Sequence, residues 1–130
     1  MLKTGLLNPA LLSLLARVRH TNMLVISDRG FPFWPQIETI DLSLVDDVPT
    51  VLQVLKAVRA HAGFGRAYMA EEFLGANSPA TQALFRSALE GIPLTFESHE
   101  GKFKPRVPSA IGLIRTGDTT QYANMILVSA

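Results

Sequence analysis

Helix-start signals and apolar runs of strand length take turns along this chain, and that alternation constrains its fold more than any other feature. Asn8 can accept from the free N–H groups of a helix start, and Pro9 suits a first turn. Leu11, Leu12, Leu15 and Val18 then fall on one face, predicting a helix over about residues 9–19. Met23 to Ile26 reads as a buried strand that ends in the turn residues Ser27, Asp28, Arg29 and Gly30. Asp47 ahead of Pro49, with Val51, Leu52, Leu55 and Val58 at helical spacing, predicts a second helix ending near Gly63. Ala67 to Ala70 reads as the next strand. Asn77-Ser78-Pro79 opens a third helix over about residues 79–90, with Leu84, Phe85 and Ala88 as its apolar stripe and Gly91 as its stop. Leu94 to Glu97, Ala110 to Arg115 and Asn124 to Val128 read as further strands, and Lys102 to Pro108 as a polar, proline-broken connection. No repeat or linker divides residues 1–130. The expected architecture is α/β, a single domain with a mostly parallel sheet flanked by helices on both faces.

Between the first strand and the second helix, Phe31-Pro32-Phe33-Trp34-Pro35 is stiff, extended and bulky, fit to wall a pocket or to plug an interface. Forty-eight per cent hydrophobic residues against 18% charged, with a mean hydropathy of +0.23, is apolar for 130 residues. Some surface is therefore expected to be buried between subunits of a homo-oligomer. The net charge of +1 has no directed patch, because Arg17/Arg19 and Lys102/Lys104/Arg106 are short clusters without an aromatic ladder, so no nucleic-acid partner is expected. The lack of cysteine removes disulfide scaffolds, thiolate nucleophiles and sulfur metal sites. The apolar stretch Leu6 to Ala16 is interrupted by Asn8-Pro9 and closed by Arg17 and Arg19, which reads as a capped helix rather than a signal peptide. No apolar run approaches the ~20 residues that cross a bilayer. A soluble, cytoplasmic protein with no membrane partner is the expectation.

Absent spacings narrow the chemistry. There is no G-x-x-x-x-G-K-[ST], no H-E-x-x-H and no G-x-S-x-G, and Gly63-Phe64-Gly65 lacks the third glycine of a dinucleotide fingerprint. No cofactor and no metal are expected. What remains is a set of acid–base residues near predicted strand ends, where open α/β sheets place their ligands. His20 lies just past the first helix, either as an acid–base group or as a cation at the negative end of the helix dipole. Asp28 is either a ligand contact or a turn cap. His99 and Glu100, with Lys102 and Lys104 close behind, make a polar site or a solvated loop. Tyr122 and Asn124 flank Ala123; extended alternation puts both on one face, where a hydroxyl and an amide suit a polyhydroxylated ligand or amount to ordinary strand-edge polarity. His61 reads as structural, and of the adjacent Glu71 and Glu72 only one would face a site.

An ordered set of short segments runs through nearly the whole chain: Gly5-Leu6-Leu7-Asn8, His20-Thr21 with Asp28, Ile40-Asp41-Leu42-Ser43-Leu44, Ala70-Glu71-Glu72, Ser98-His99-Glu100, and Ile114-Arg115-Thr116-Gly117 running to Tyr122-Ala123-Asn124. The set resembles the family of D-ribose pyranases and L-fucose mutarotases. The resemblance implies that His20 is a general acid and that Asp28, His99, Tyr122, Ala123 and Asn124 bind a monosaccharide. It implies ring-like homo-oligomers, the decamer among them. The Ile40–Leu44 segment, the histidine at 99 and Tyr-Ala-Asn lean toward the ribose branch. Arg19, Arg29 and Gln121 depart from the family pattern, which has glycine, a small residue and proline there.

The activity so implied is the interconversion of pyranose and furanose, or anomeric, forms of a sugar, most naturally D-ribose, by acid–base ring opening without a cofactor. An L-fucose mutarotase, a non-catalytic sugar-binding transport accessory and a structural assembly protein are the alternatives. A straight strand at ~3.3 Å per residue would leave His20 and Asp28 more than ~20 Å apart. Either the chain bends sharply at Thr21-Asn22, or neighbouring subunits share the site, and the shared site is the expectation.

Overall fold

A computed structural model describes residues 1–130. Strands β1 (Met23–Ser27), β2 (Glu38–Asp41), β3 (Phe64–Ala70), β4 (Leu94–Glu97), β5 (Gly112–Arg115) and β6 (Met125–Ser129) form one sheet in the order β2-β5-β1-β6-β3-β4. β1 and β2 each run parallel to β5, and β3 runs parallel to β4. β6 lies antiparallel to both β1 and β3, so five strands point one way and β6 alone runs against them. The five carboxyl ends meet at one rim of the sheet, where β6 begins. That is the rim at which open α/β sheets bind ligands.

Strand alternation divides the core in two. Leu24, Ile26, Met69, Ile114 and Met125 face helices α1 (Pro9–Arg17), α2 (Val51–Arg59), α3 (Glu72–Ala76) and α4 (Pro79–Ala88), which contribute Leu11, Leu14, Val54, Val58, Phe73 and Phe85. Val25, Leu113 and Ile126 face the other way and meet Phe31, Phe103, Val107 and Ala110. This second cover is the aromatic loop together with a helical run: a π-helical turn His99–Phe103, the short α5 (Lys104–Arg106) and a 3-10 turn Val107–Ser109. Both faces carry helix, four helices on one and a single short run on the other.

The caps at Asn8 and Ser78 behave as their residue types suggest, accepting from Leu11 N and Thr81 N. Elsewhere the chain differs from its pattern for identifiable reasons. In α1 the fully buried pair is Leu11 and Leu14, while Leu12 is exposed. α2 starts later than Asp47 implied, because Thr50 and Gln53 form a reciprocal capping box, and Asp47 instead takes a left-handed conformation and binds Thr119. In α4 Leu84 points outward, and Phe85 and Leu89 carry the packing. The expected polar connection at 102–108 is helical: Pro105 sits in the first turn of α5, where its missing N–H is harmless, and Phe103 and Val107 are buried.

Candidate functional site

β1 ends at Ser27, and Asp28 emerges at the rim. Its main-chain N–H donates to Asn124 Oδ1 at 2.8 Å, so the side chain of Asn124 extends the β1–β6 pairing by one rung. Asp28 Oδ1 in turn accepts from Gly30 N at 3.0 Å, closing an Asx turn. Asn124 and Ala123 are both buried. Tyr122 precedes them with φ of 56°, a conformation L-residues adopt only when neighbours enforce it. One such neighbour is Asn77, whose amide Nδ2 donates to the carbonyl of Gln121 at 2.8 Å. Tyr122 and Asn124 do reach one pocket, but through this left-handed turn rather than through strand alternation.

His99 arrives from the other half of the sheet. β4 ends at Glu97, Ser98 Oγ accepts from Gly101 N, and both carboxylate oxygens of Glu72 take the His99 N–H at 3.1 Å. His99 is only 8% exposed, enclosed by its neighbours' rings: Phe103 stacks at 5.7 Å, and Tyr122 and Phe31 stand edge-on at 5.1 and 6.1 Å. Its Nδ1 has no protein partner.

Asp28, His99, Tyr122 and Asn124, with Gly30, Phe31, Pro32, Lys104 and Gln121, line a cavity of about 350 Å³ open at the rim. Lys104 is held at 2.7 Å by Glu100. A larger neighbouring cavity, about 390 Å³, holds none of these four residues, and its Arg115 and Asp41 are already paired with each other.

The electrostatics of the two ionisable groups run in opposite directions. Burial raises the pKa of Asp28 above the usual aspartate range, helped by the charge of Asp118 and resisted by bonds from Gly30, Asn124 and Phe31. Burial lowers that of His99, with Lys104 adding to the effect, so the imidazole is held neutral. A neutral histidine beside an amide, a phenol and a carboxylate offers mixed donors and acceptors at close spacing, which suits a ligand rich in hydroxyls.

His20 is not in this pocket. It occupies an exposed turn at the opposite end of β1, where Thr21 N donates to the carbonyl of Ser129 at the far end of β6. Thr21 does bend the chain (φ 66°), but ahead of the strand, so β1 still separates His20 from Asp28. Of the residues singled out in the sequence, the fold gathers four around one cavity, buries Ala123 beneath them, and leaves His20 alone at the other rim.

Several contributors have weak sequence signals. Lys104 is visible only as part of a charged cluster, Gln121 only as a departure from a pattern, and Glu72 only as one of two adjacent carboxylates. Asp118 has no signal: it is buried and receives Val51 N and Thr120 N, tying the start of α2 to the turn before Tyr122.

The fold and pocket define a small α/β protein with a polar cavity at the carboxyl-end rim of its sheet. The chain belongs to the RbsD / FucU transport protein family, whose family model matches residues 1–130. It is 40% identical to a D-ribose pyranase of Geobacillus kaustophilus, over 99% of this chain and 93% of that one. Among solved structures, Bacillus subtilis RbsD complexed with D-ribose superposes with a TM-score of 0.92 at 31% identity, covering 100% of this chain and 98% of that one. A fucose mutarotase from Streptococcus pneumoniae in complex with L-fucose shares the fold, with a TM-score of 0.80 at 22% identity over 95% and 92%.

Proposed function

We propose that this chain is a D-ribose pyranase, an isomerase that opens and recloses the sugar ring, working as one domain over residues 1–130. The observation that carries the reading is the gathering of Asp28, His99, Tyr122 and Asn124 around one rim cavity in a chain 40% identical to a D-ribose pyranase over nearly its full length.

Ring opening breaks the bond between the anomeric carbon and the ring oxygen. The anomeric hydroxyl loses its proton, the ring oxygen gains one, and an open-chain aldehyde results. Reclosure through the hydroxyl of carbon 4 gives the furanose and through that of carbon 5 the pyranose, with the proton returned. His20 serves as the general acid, delivering the proton to the ring oxygen. Asp28 accepts from a sugar hydroxyl, and its depressed acidity strengthens that bond. Neutral His99, the Tyr122 hydroxyl and Asn124 hold the remaining hydroxyls.

Because His20 lies beyond β1 from this cavity, the site is completed by His20 of a second copy, in a ring-like homo-oligomer such as a decamer. Exposed apolar side chains support this: Phe33, Leu44 and Leu84 are 76, 77 and 61% exposed in the single chain. No helix is long and apolar enough to cross a membrane, and cytoplasmic residence is part of the proposal.

Saturation-transfer NMR on ribose, with fucose in parallel, tests the reading. Exchange between pyranose and furanose signals should exceed the protein-free rate and fall by ~10²–10⁴-fold in His20→Ala, while ribose still binds. Exchange of fucose alone would move the protein to the sister branch, and no exchange of either sugar would defeat the proposal.

A further inference from the structure

Two of the segments that carry the family resemblance, Ile40–Leu44 and Ile114–Gly117, have no part in the cavity, yet they meet beside it. Arg115 ends β5, in register with Ser27 of β1 and Asp41 of β2, so its side chain stands between the ends of three strands. Its guanidinium Nη1 donates to Asp41 Oδ2 at 2.9 Å and to Ser43 Oγ at 2.8 Å. Nε and Nη2 both donate to one acceptor, the main-chain carbonyl of Arg29, at 3.2 and 2.9 Å.

We propose that Arg115 is a positioning residue of the sugar site: locked by Asp41 and Ser43, its planar fork fixes the carbonyl of Arg29 and so aims the Asp28 carboxylate into the cavity. The proposal rests on the pyranase reading above. Its force comes from what the fork holds. Residue 29 is the centre of the turn that Asp28 makes with Gly30, and the other groups of the turn are tied as well. Asp28 N goes to Asn124, Arg29 N to the carbonyl of Asp118 at 3.1 Å, and Gly30 N to Asp28 Oδ1. The Arg29 carbonyl is a further anchor, and Arg115 supplies both of its bonds. The Arg29 side chain points elsewhere, to Asp46 at 2.7 Å, so the fork reads main chain alone.

A stability role accounts poorly for the same contacts. Arg115 and Asp41 are 37 and 49% exposed, and ion pairs that wet contribute little to folding. Geometry is what a bidentate guanidinium adds over a point charge, and a lysine could not grip one carbonyl with two parallel donors. Asp41 is a fit partner for the fork, because burial acts to raise its pKa but two bonds from Ser43 and the Arg115 contact outweigh it and hold the carboxylate ionised.

The test is Arg115→Lys in the full chain, with two readouts, namely the ribose dependence of pyranose–furanose exchange and hydrogen exchange at the Gly30 amide. Loosening the turn should raise KM for ribose about tenfold while kcat stays within about twofold, and Gly30 should exchange at least about tenfold faster. Arg59→Lys is the control, since Arg59 also donates two bonds to main chain, one each to the carbonyls of Ala88 and Glu90 away from the cavity, and should move neither readout. A KM and a Gly30 rate both within twofold of wild type would overturn the proposal. So would a change in one without the other, or equal changes in the Arg59 control. Should Arg115→Lys not fold, Ser43→Ala removes one lock and should shift both readouts in the same direction by about threefold, with no shift counting against the clamp. If the wild type catalysed no ribose exchange, the pyranase reading would fall and the role in sugar binding with it, while the Gly30 rate would still decide whether the fork holds the turn.

Discussion

At the scale of single residues, the two ionisable groups of the cavity give opposite pH signatures. Asp28 is harder to ionise in the folded chain than in the unfolded one, chiefly through burial. Its contribution to stability is therefore present in full below the ordinary aspartate pKa and is lost as pH rises through the raised value. In its charged form the carboxylate is a burden on the fold, one that the proposed bond to a sugar hydroxyl would offset. Asp28→Asn keeps an oxygen for the Gly30 N–H and removes the charge, so its Tm should rise by about 2–4 °C at neutral pH while ribose binding weakens. Calorimetry showing an unchanged or lower Tm would contradict the account. His99 works in the other sense. Burial favours the neutral ring, so its contribution is present above the ordinary histidine pKa and is lost as pH falls below it. Between about pH 7.5 and about pH 5 the wild type should lose more Tm than His99→Gln does; parallel melting curves would remove His99 from the titration.

At the scale of elements, α1 and β5 are packed too closely for a side chain between them. A Cβ added at Gly112 would come within 2.7 Å of Leu14 Cδ1, and Leu14 is wholly buried. Gly112→Ala should cost about 1–3 kcal/mol by overpacking, and Leu14→Ala about 2–4 kcal/mol by leaving a cavity. The added methyl fits the space that the second change opens, so the double variant should be more stable than the sum by at least about 1 kcal/mol in urea titrations. Strict additivity would mean that this contact does not set the seat of α1. The same pair illustrates which parts of the fold can be read from sequence. Asn8-Pro9 and Ser78-Pro79 are local signals with a local mechanism, and α1 and α4 begin where they indicate. β2 escapes such reading because Glu38–Asp41 is an edge strand in which only Ile40 is buried. α3 has no side-chain cap and exists because Phe73 packs on Phe85 at 4.9 Å, a contact between distant residues. The rim cavity is legible in part for a similar reason. Strand ends point to Asp28 and His99, but the left-handed turn at Tyr122 is imposed by Asn77 and Asp118, whose partners lie 44 and 67 residues away along the chain.

At the scale of the whole molecule, the sheet is the ground for the proposal that two copies share the site. β1 has a pocket at its carboxyl end and His20 before its amino end, and a straight strand cannot fold one onto the other. A second copy can, if its His20 rim meets the first copy's pocket rim. Such a contact is head-to-tail, joining unlike surfaces, and repeated contacts of this kind form a ring when the rotation between copies closes. Phe33, Leu44, Val45 and Val48 are all exposed in the single chain and provide apolar surface for that contact. A shared site makes a prediction that a site within one chain does not. His20→Ala and Asn124→Ala should each be inactive alone, but when the two are unfolded together and refolded, some sites will pair the intact His20 of an Asn124→Ala chain with the intact pocket of a His20→Ala chain. Random assembly at equal amounts places such a pairing at about one site in four, so ribose exchange should return to about a quarter of the wild-type rate per chain. If each chain carried a whole site, every site in the mixture would hold one of the two lesions and the refolded mixture would stay inactive.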